Sequence, residues 1–126
     1  MAKILVVDDD QQIRDILKLF LTTEGYEVVT ASCGEEALII MDKTTPDLIT
    51  LDISMPGING YEVCRKIRTE YSQKALPIIM VSGNRHPQDE IKAFDVGADE
   101  YIKKPFQNDE LLSTIKTLFG RNKETP

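Results

Sequence analysis

The sequence predicts an α/β domain, a doubly wound five-stranded parallel sheet with five helices. Two observations carry this. Short apolar runs alternate with helical patterns five times along the 126 residues. Five strand–helix units in series imply parallel strands joined by right-handed crossovers, with helices on both faces. The runs are also mostly continuous apolar stretches instead of alternating, as expected of strands covered on both sides.

The expected strands are Ile4–Val7, Val28–Ala31, Leu48–Leu51, Pro77–Val81 and Tyr101–Ile102. Ile13, Ile16, Leu17, Phe20 and Leu21 recur at helical spacing after the first, and Gly25 stops that helix. Ser32 with Glu35 reads as a capping box opening a second helix through Ala37, Leu38 and Met41. Asn59 with Glu62 caps a third, which carries Val63, Cys64 and Ile67. Pro87 suits the first position of a fourth, with Ile91 and Phe94 inward and Gly97 at its end. Asn108 caps a fifth through Leu111, Leu112, Ile115, Leu118 and Phe119, and Gly120 closes it. Residues 1–120 therefore read as one domain and residues 121–126 as a frayed polar tail.

A chain of this length buries enough surface to fold without disulfides or a structural metal. The net charge of -6 argues against this domain gripping nucleic acid or an anionic membrane. Cys33 and Cys64 have no CxxC or His-rich company and read as reduced, buried thiols. The N-terminus is no signal peptide, and no apolar run approaches a membrane span. The expectation is a cytoplasmic protein.

In doubly wound folds the site lies at the carboxyl ends of the strands. Asp8, Asp9 and Asp10 follow strand one, Asp52 strand three, Ser82 strand four and Lys104 strand five. Each has a plain reading: Asp10 as a helix cap, Asp52 and Ser82 as turn residues, Lys104 as one of a solvated pair with Lys103. His86, the one histidine, reads as a solvated loop or capping residue. Together the strand ends are chemically coherent. Clustered carboxylates suit a hard divalent cation, an Asp can take a phosphoryl group, and a hydroxyl and an ammonium can hold its oxygens. Asp52 is the nucleophile candidate because it stands alone after the central strand.

These residues resemble the response-regulator receiver domain of two-component signalling, in its chemotaxis-regulator-like single-domain form. The motifs are the acidic pair Asp8–Asp9, D-x-x-M-P-x-x-x-G from Asp52 to Gly60, Ser82, and K-P-F from Lys104 to Phe106. The resemblance runs from about Lys3 to Phe119. It implies a flavodoxin-like sheet of strand order 2-1-3-4-5. It implies Asp52 as phosphoacceptor, with Mg²⁺ (or Mn²⁺) held by Asp9, Asp52 and the Ser54 backbone carbonyl, and by Asp8 through water. Lys104 and Ser82 would contact the phosphoryl group, and Tyr101 would be the switch aromatic that follows Ser82. Ser54 and Asn84 would tune the lifetime of the phosphorylated state. The Lys104–Pro105 bond is similar to one that is cis in the family. Asp10 falls where the family varies.

The function so implied is a phosphorylation-controlled signalling switch, not an enzyme beyond its own phosphoryl transfer and slow aspartyl-phosphate hydrolysis. Its partners would be a sensor histidine kinase or histidine phosphotransfer protein, and an output partner on the face of helix four, strand five and helix five. Phosphorylation-dependent homodimers would use that face too. Direct nucleic-acid or membrane binding is not expected. Two alternatives stand beside it. One is a small Asp-nucleophile phosphatase of haloacid-dehalogenase type, using the first acidic strand end. The other is a degenerate interaction module, disfavoured because Asp8, Asp9, Asp52, Ser82 and Lys104 are all kept. A flavin carrier is weaker still, since carboxylates at the first strand end would repel phosphate.

Overall fold

The apolar runs become strands wherever both of their faces can be covered. In the computed structural model, which describes residues 1–73, 75–83 and 86–124 (the last three through their helical backbone), ten elements alternate strictly. They are β1 (Lys3–Val7), α1 (Gln11–Thr23), β2 (Glu27–Ala31), α2 (Gly34–Lys43), β3 (Leu48–Asp52), α3 (Gly60–Arg68), β4 (Ile78–Ser82), α4 (Pro87–Asp95), β5 (Glu100–Lys103) and α5 (Asn108–Glu124). The sheet is parallel throughout, in the order β2-β1-β3-β4-β5.

Side chains alternate across each strand, and here both sides are apolar. Leu5, Val7, Ile49, Leu51, Ile78 and Met80 face α2, α3 and α4, where Ala37, Met41, Val63, Cys64 and Ala93 meet them. Ile4, Val6, Leu48, Ile79, Val81 and Ile102 face Leu17 and Leu21 of α1 and Leu111, Ile115 and Leu118 of α5. The chain leaves β1 toward β2 and returns to β3 on its other side, so the crevice opens between β1 and β3. The register Val7↔Leu51 sets Asp8 level with Asp52, and Ser82↔Lys103 leaves Lys104 one residue beyond.

Several local expectations fail for identifiable reasons. Ser32 and Glu35 form no capping box: Cys33 is the N-cap of α2, without a side-chain cap, and Glu36 instead accepts from the Ser32 N–H and hydroxyl. Glu35 turns toward the β3–α3 loop, where it lies 3.4 Å from the Ile58 N–H. Ile91 and Phe94 are exposed, 61% and 43%. The space beneath α4 is taken by the buried Tyr61 ring, whose hydroxyl donates to the Asp89 carbonyl, so only small Ala93 fits inward. Ile16 on α1 is also exposed, and Cys33 is half-buried where a buried thiol was expected.

Asn108 opens α5 as its first residue, and the preceding Gln107 carbonyl accepts the first helical bonds. Helix α5 does not close at Gly120, which lacks positive φ. It runs on to Glu124, tied at Arg121 to Asp99 at 3.3 Å. The residues read as a frayed tail are therefore helical through Glu124, and residues 125–126 lie outside the described residues. The expectations that hold include the Asn59–Glu62 capping box, Pro87 at the start of α4, and helix stops at Gly25 and Gly97, both of which take positive φ.

Candidate functional site

The site is built from three strand ends and two loops. Past Val7 the chain turns sharply, and three hydrogen bonds set the turn. The Asp8 N–H donates to the Ala31 carbonyl, the Asp10 N–H to Asp8 Oδ1 at 2.9 Å, and the Gln12 N–H to Asp10 Oδ1 at 2.9 Å. The last of these makes Asp10 the N-cap of α1, its plain reading. Asp8 is buried and Asp9 exposed. One carboxylate oxygen each from Asp8, Asp9 and Asp52 lie within 4.8 Å of one another.

Asp52 ends β3 with only 4% of its surface exposed. Its Oδ1 accepts from the Ser54 N–H at 3.3 Å. The loop after it is compressed. The Gly60 N–H donates to the Ile53 carbonyl at 2.9 Å, and a Cβ on Gly60 would sit 2.5 Å from the Asp52 carbonyl oxygen. Glycine is required there by space, and at Gly57 by a φ of 80°. The sequence pattern Asp52 to Gly60 thus has a steric cause.

Lys104 reaches into the crevice from the β5–α5 loop, where Lys104–Pro105 is cis. Its Nζ bonds Asp8 Oδ2 at 2.8 Å and lies 3.4 Å from Asp52 Oδ2. Burial pushes the Asp52 carboxyl up to about 6, with Lys104 opposing the rise and the Asp8 charge adding to it. Burial acts to lower Lys104, but the bond to Asp8 and the charges of Asp52 and Asp8 outweigh it and hold the ammonium above its usual range. Both oxygens of Asp8 are engaged, one by the Asp10 N–H and one by Lys104, which suits a fixed anion better than an attacking nucleophile.

Ser82 is fully buried at the end of β4, and Tyr101 in β5 is half-buried. Burial raises the Tyr101 hydroxyl and a hydrogen bond with Ser82 opposes that rise, so the two residues are in contact. Asp8, Asp9, Asp52 and Lys104 converge on one crevice, and Ser54 is exposed beside Asp52. Asn84 lies outside the described residues. The acidic oxygens are hard donors, and their spacing is close to what a small octahedral cation brings together, so the donor set fits Mg²⁺.

Two contributors were not legible in the sequence. Arg14 donates to the Asp8 carbonyl at 2.6 Å. At the opposite edge, Arg68 donates to the carbonyls of Gly97, Tyr71, Ser72 and Leu76 and pairs with Asp99 at 2.9 Å. Helical spacing from Asp10 was the one available hint for Arg14. Nothing near Arg68 in sequence hinted at its partners.

The response regulator receiver domain model matches residues 4–116. The chain belongs to the response regulator receiver domain family. This receiver is 48% identical to a probable transcriptional regulator of Porphyra purpurea and 46% identical to that of Pyropia yezoensis, each over 119 residues and 94% of the chain. It spans about half the length of these curated relatives, 48% of each. Among solved structures it superimposes on a CheY-like receiver domain protein of Methanospirillum hungatei with a TM-score of 0.93 at 32% identity, covering 100% of this chain and 99% of that one. A response regulator from Thermotoga maritima, solved with Mg²⁺ and a beryllofluoride, is 44% identical with a TM-score of 0.82, covering 94% and 99%. Receivers of this family are signalling modules, and the observed strand order is theirs. No helix among the described residues is long and apolar enough to cross a membrane.

Proposed function

We propose that this receiver takes a phosphoryl group on Asp52 from the phosphohistidine of a sensor kinase or phosphotransfer protein. The observation that carries this is the placement of Lys104, which holds one ammonium between Asp8 and Asp52 beside an acidic triad. In the transfer an Asp52 oxygen attacks phosphorus, the P–N bond breaks and the imidazole leaves. Lys104 is within a short side-chain movement of the new phosphoryl oxygens, and the Ser54 N–H already points at an Asp52 oxygen. Mg²⁺ would be held by Asp9, Asp52 and the Ser54 carbonyl, with Asp8 contributing through water, and would supply the remaining neutralisation of negative charge.

The Ser82–Tyr101 contact supports the switch role: a hydroxyl drawn toward the phosphoryl group would release or re-seat Tyr101 and alter the α4–β5–α5 face. Ser54 and Asn84 would set how readily water reaches the acyl phosphate. The partner read through that face, or a second receiver docked on it, is the output.

Incubation with acetyl phosphate and Mg²⁺ should label the wild type at Asp52 and leave Asp52→Asn unlabelled. Equal labelling of both would sink the assignment. Steady turnover of a phosphomonoester, lost in Asp8→Asn but kept in Asp52→Asn, would favour the phosphatase alternative.

A further inference from the structure

We propose that Arg14 is a positioning residue for the divalent-cation site, acting through the main chain of Asp8. This rests on the metal-site reading given above. Arg14 is half-buried on the first turns of α1, and its guanidinium makes no ion pair with any carboxylate among the described residues. It bonds the Asp8 carbonyl at 2.6 Å, while its own N–H bonds the Asp10 carbonyl at 3.1 Å. One residue therefore closes the Asp8–Asp10 turn from both ends.

The consequence falls on Asp9. With the Asp8 carbonyl held by Arg14, Asp8 Oδ1 held by the Asp10 N–H, and Asp10 held by the Gln12 N–H, Asp9 is the one acid of the turn whose carboxylate takes no hydrogen bond among the described residues. The brace leaves that carboxylate at the apex, facing the oxygens of Asp8 and Asp52. A bond from a charged donor to a carbonyl is among the stronger hydrogen bonds. The preference for the backbone over the nearby acids matters. A guanidinium paired to the carboxylates would compete with a cation for them, whereas one bonded to the carbonyl orders the turn and leaves the Asp9 carboxylate available. The residues that orient ligands typically change metal affinity by about tenfold to a hundredfold when removed.

The test is calorimetric titration of the 126-residue chain with Mg²⁺ alone, on wild type, Arg14→Met and Arg14→Lys. Arg14→Met keeps the apolar stem and loses the donor, and should weaken Mg²⁺ binding about tenfold. Arg14→Lys restores a single charged donor and should fall between, about threefold weaker than wild type. In acetyl phosphate labelling, Arg14→Met should raise the Mg²⁺ concentration for half-maximal rate by the same factor while the rate at saturating Mg²⁺ stays within about twofold, a split that a merely destabilised fold would not produce. Mg²⁺ affinity of Arg14→Met within twofold of wild type overturns the proposal. Should Arg14→Met not fold, Arg14→Lys decides alone, and wild-type affinity in it overturns the proposal. Absence of Mg²⁺ binding by the wild type overturns the metal-site reading and the proposal with it.

Discussion

Replacing Asp52 with Asn should stabilise the metal-free receiver, by an amount that depends on pH. The carboxyl is raised from 3.8 to about 6, chiefly by burial, with Lys104 opposing and Asp8 adding. At about 1.4 kcal/mol per tenfold change in proton affinity, that rise corresponds to about 3 kcal/mol. The folded state keeps its proton in a range where the unfolded chain has lost it. Stability from this group is therefore fully present below about 3.8 and declines as pH rises to about 6. Asn cannot ionise, still accepts from the Ser54 N–H, and leaves Lys104 its shorter bond to Asp8. The assay is urea unfolding of both proteins in EDTA from pH 3 to pH 7. The difference, mutant minus wild type, should widen by up to about 3 kcal/mol across that range and then level off. Taking the difference cancels the titrating groups that do not interact with Asp52. Two curves that stay parallel throughout would refute the reasoning, because they would mean that Asp52 ionises in the folded chain as easily as in water.

Removing the ammonium in Lys104→Ala should raise the Asp52 carboxyl further above about 6, since Lys104 opposes that rise; carboxyl NMR titration in EDTA measures it. Mg²⁺ should stabilise the wild type by about 1.4 kcal/mol at ten times its dissociation constant, and much less in Asp9→Asn, read by thermal or urea unfolding. Gly60→Ala places a methyl 2.5 Å from the Asp52 carbonyl and 2.8 Å from Ile53 Cα, both backbone atoms that cannot step aside. It should cost about 1–3 kcal/mol by urea unfolding and slow phosphodonor labelling. Truncating Arg68 to Ala should cost about 3–5 kcal/mol, because it strips donors from four carbonyls and leaves the buried Asp99 carboxylate, which also accepts from the Ile78 N–H, with the exposed Arg121 as its only cationic partner among the described residues.

The candidate site was legible for a physical reason. Parallel strands buried on both faces must be apolar throughout, so the first polar residue after each run marks the strand's carboxyl end, where such folds bind ligands. Asp8, Asp52 and Ser82 could be read that way because each directly follows or ends such a run, and Lys104 because it is the first residue past β5, after Lys103. Helix faces were less legible. Ile91 and Phe94 look inward by periodicity, yet periodicity cannot know that Tyr61 from α3 already fills the space under α4. The Ser32–Glu35 pattern matched a capping box, but Glu36 was equally near and won. Gly120 resembled a helix stop, and Arg121 found Asp99 beyond it.

The sequence by itself determined the five-fold alternation, the acids at the strand ends and the family. These depend on local order along the chain, which hydrophobic runs and turn residues record directly. Tertiary structure alone decided which oxygen of Asp8 meets Lys104, that burial lifts Asp52 to about 6, and that Arg14 grips a carbonyl in preference to an acid. The first two belong to atoms brought together across the sheet, where distance and desolvation set the energy; the third is local, but a long side chain's choice between a carbonyl and nearby acids is settled only by the folded turn.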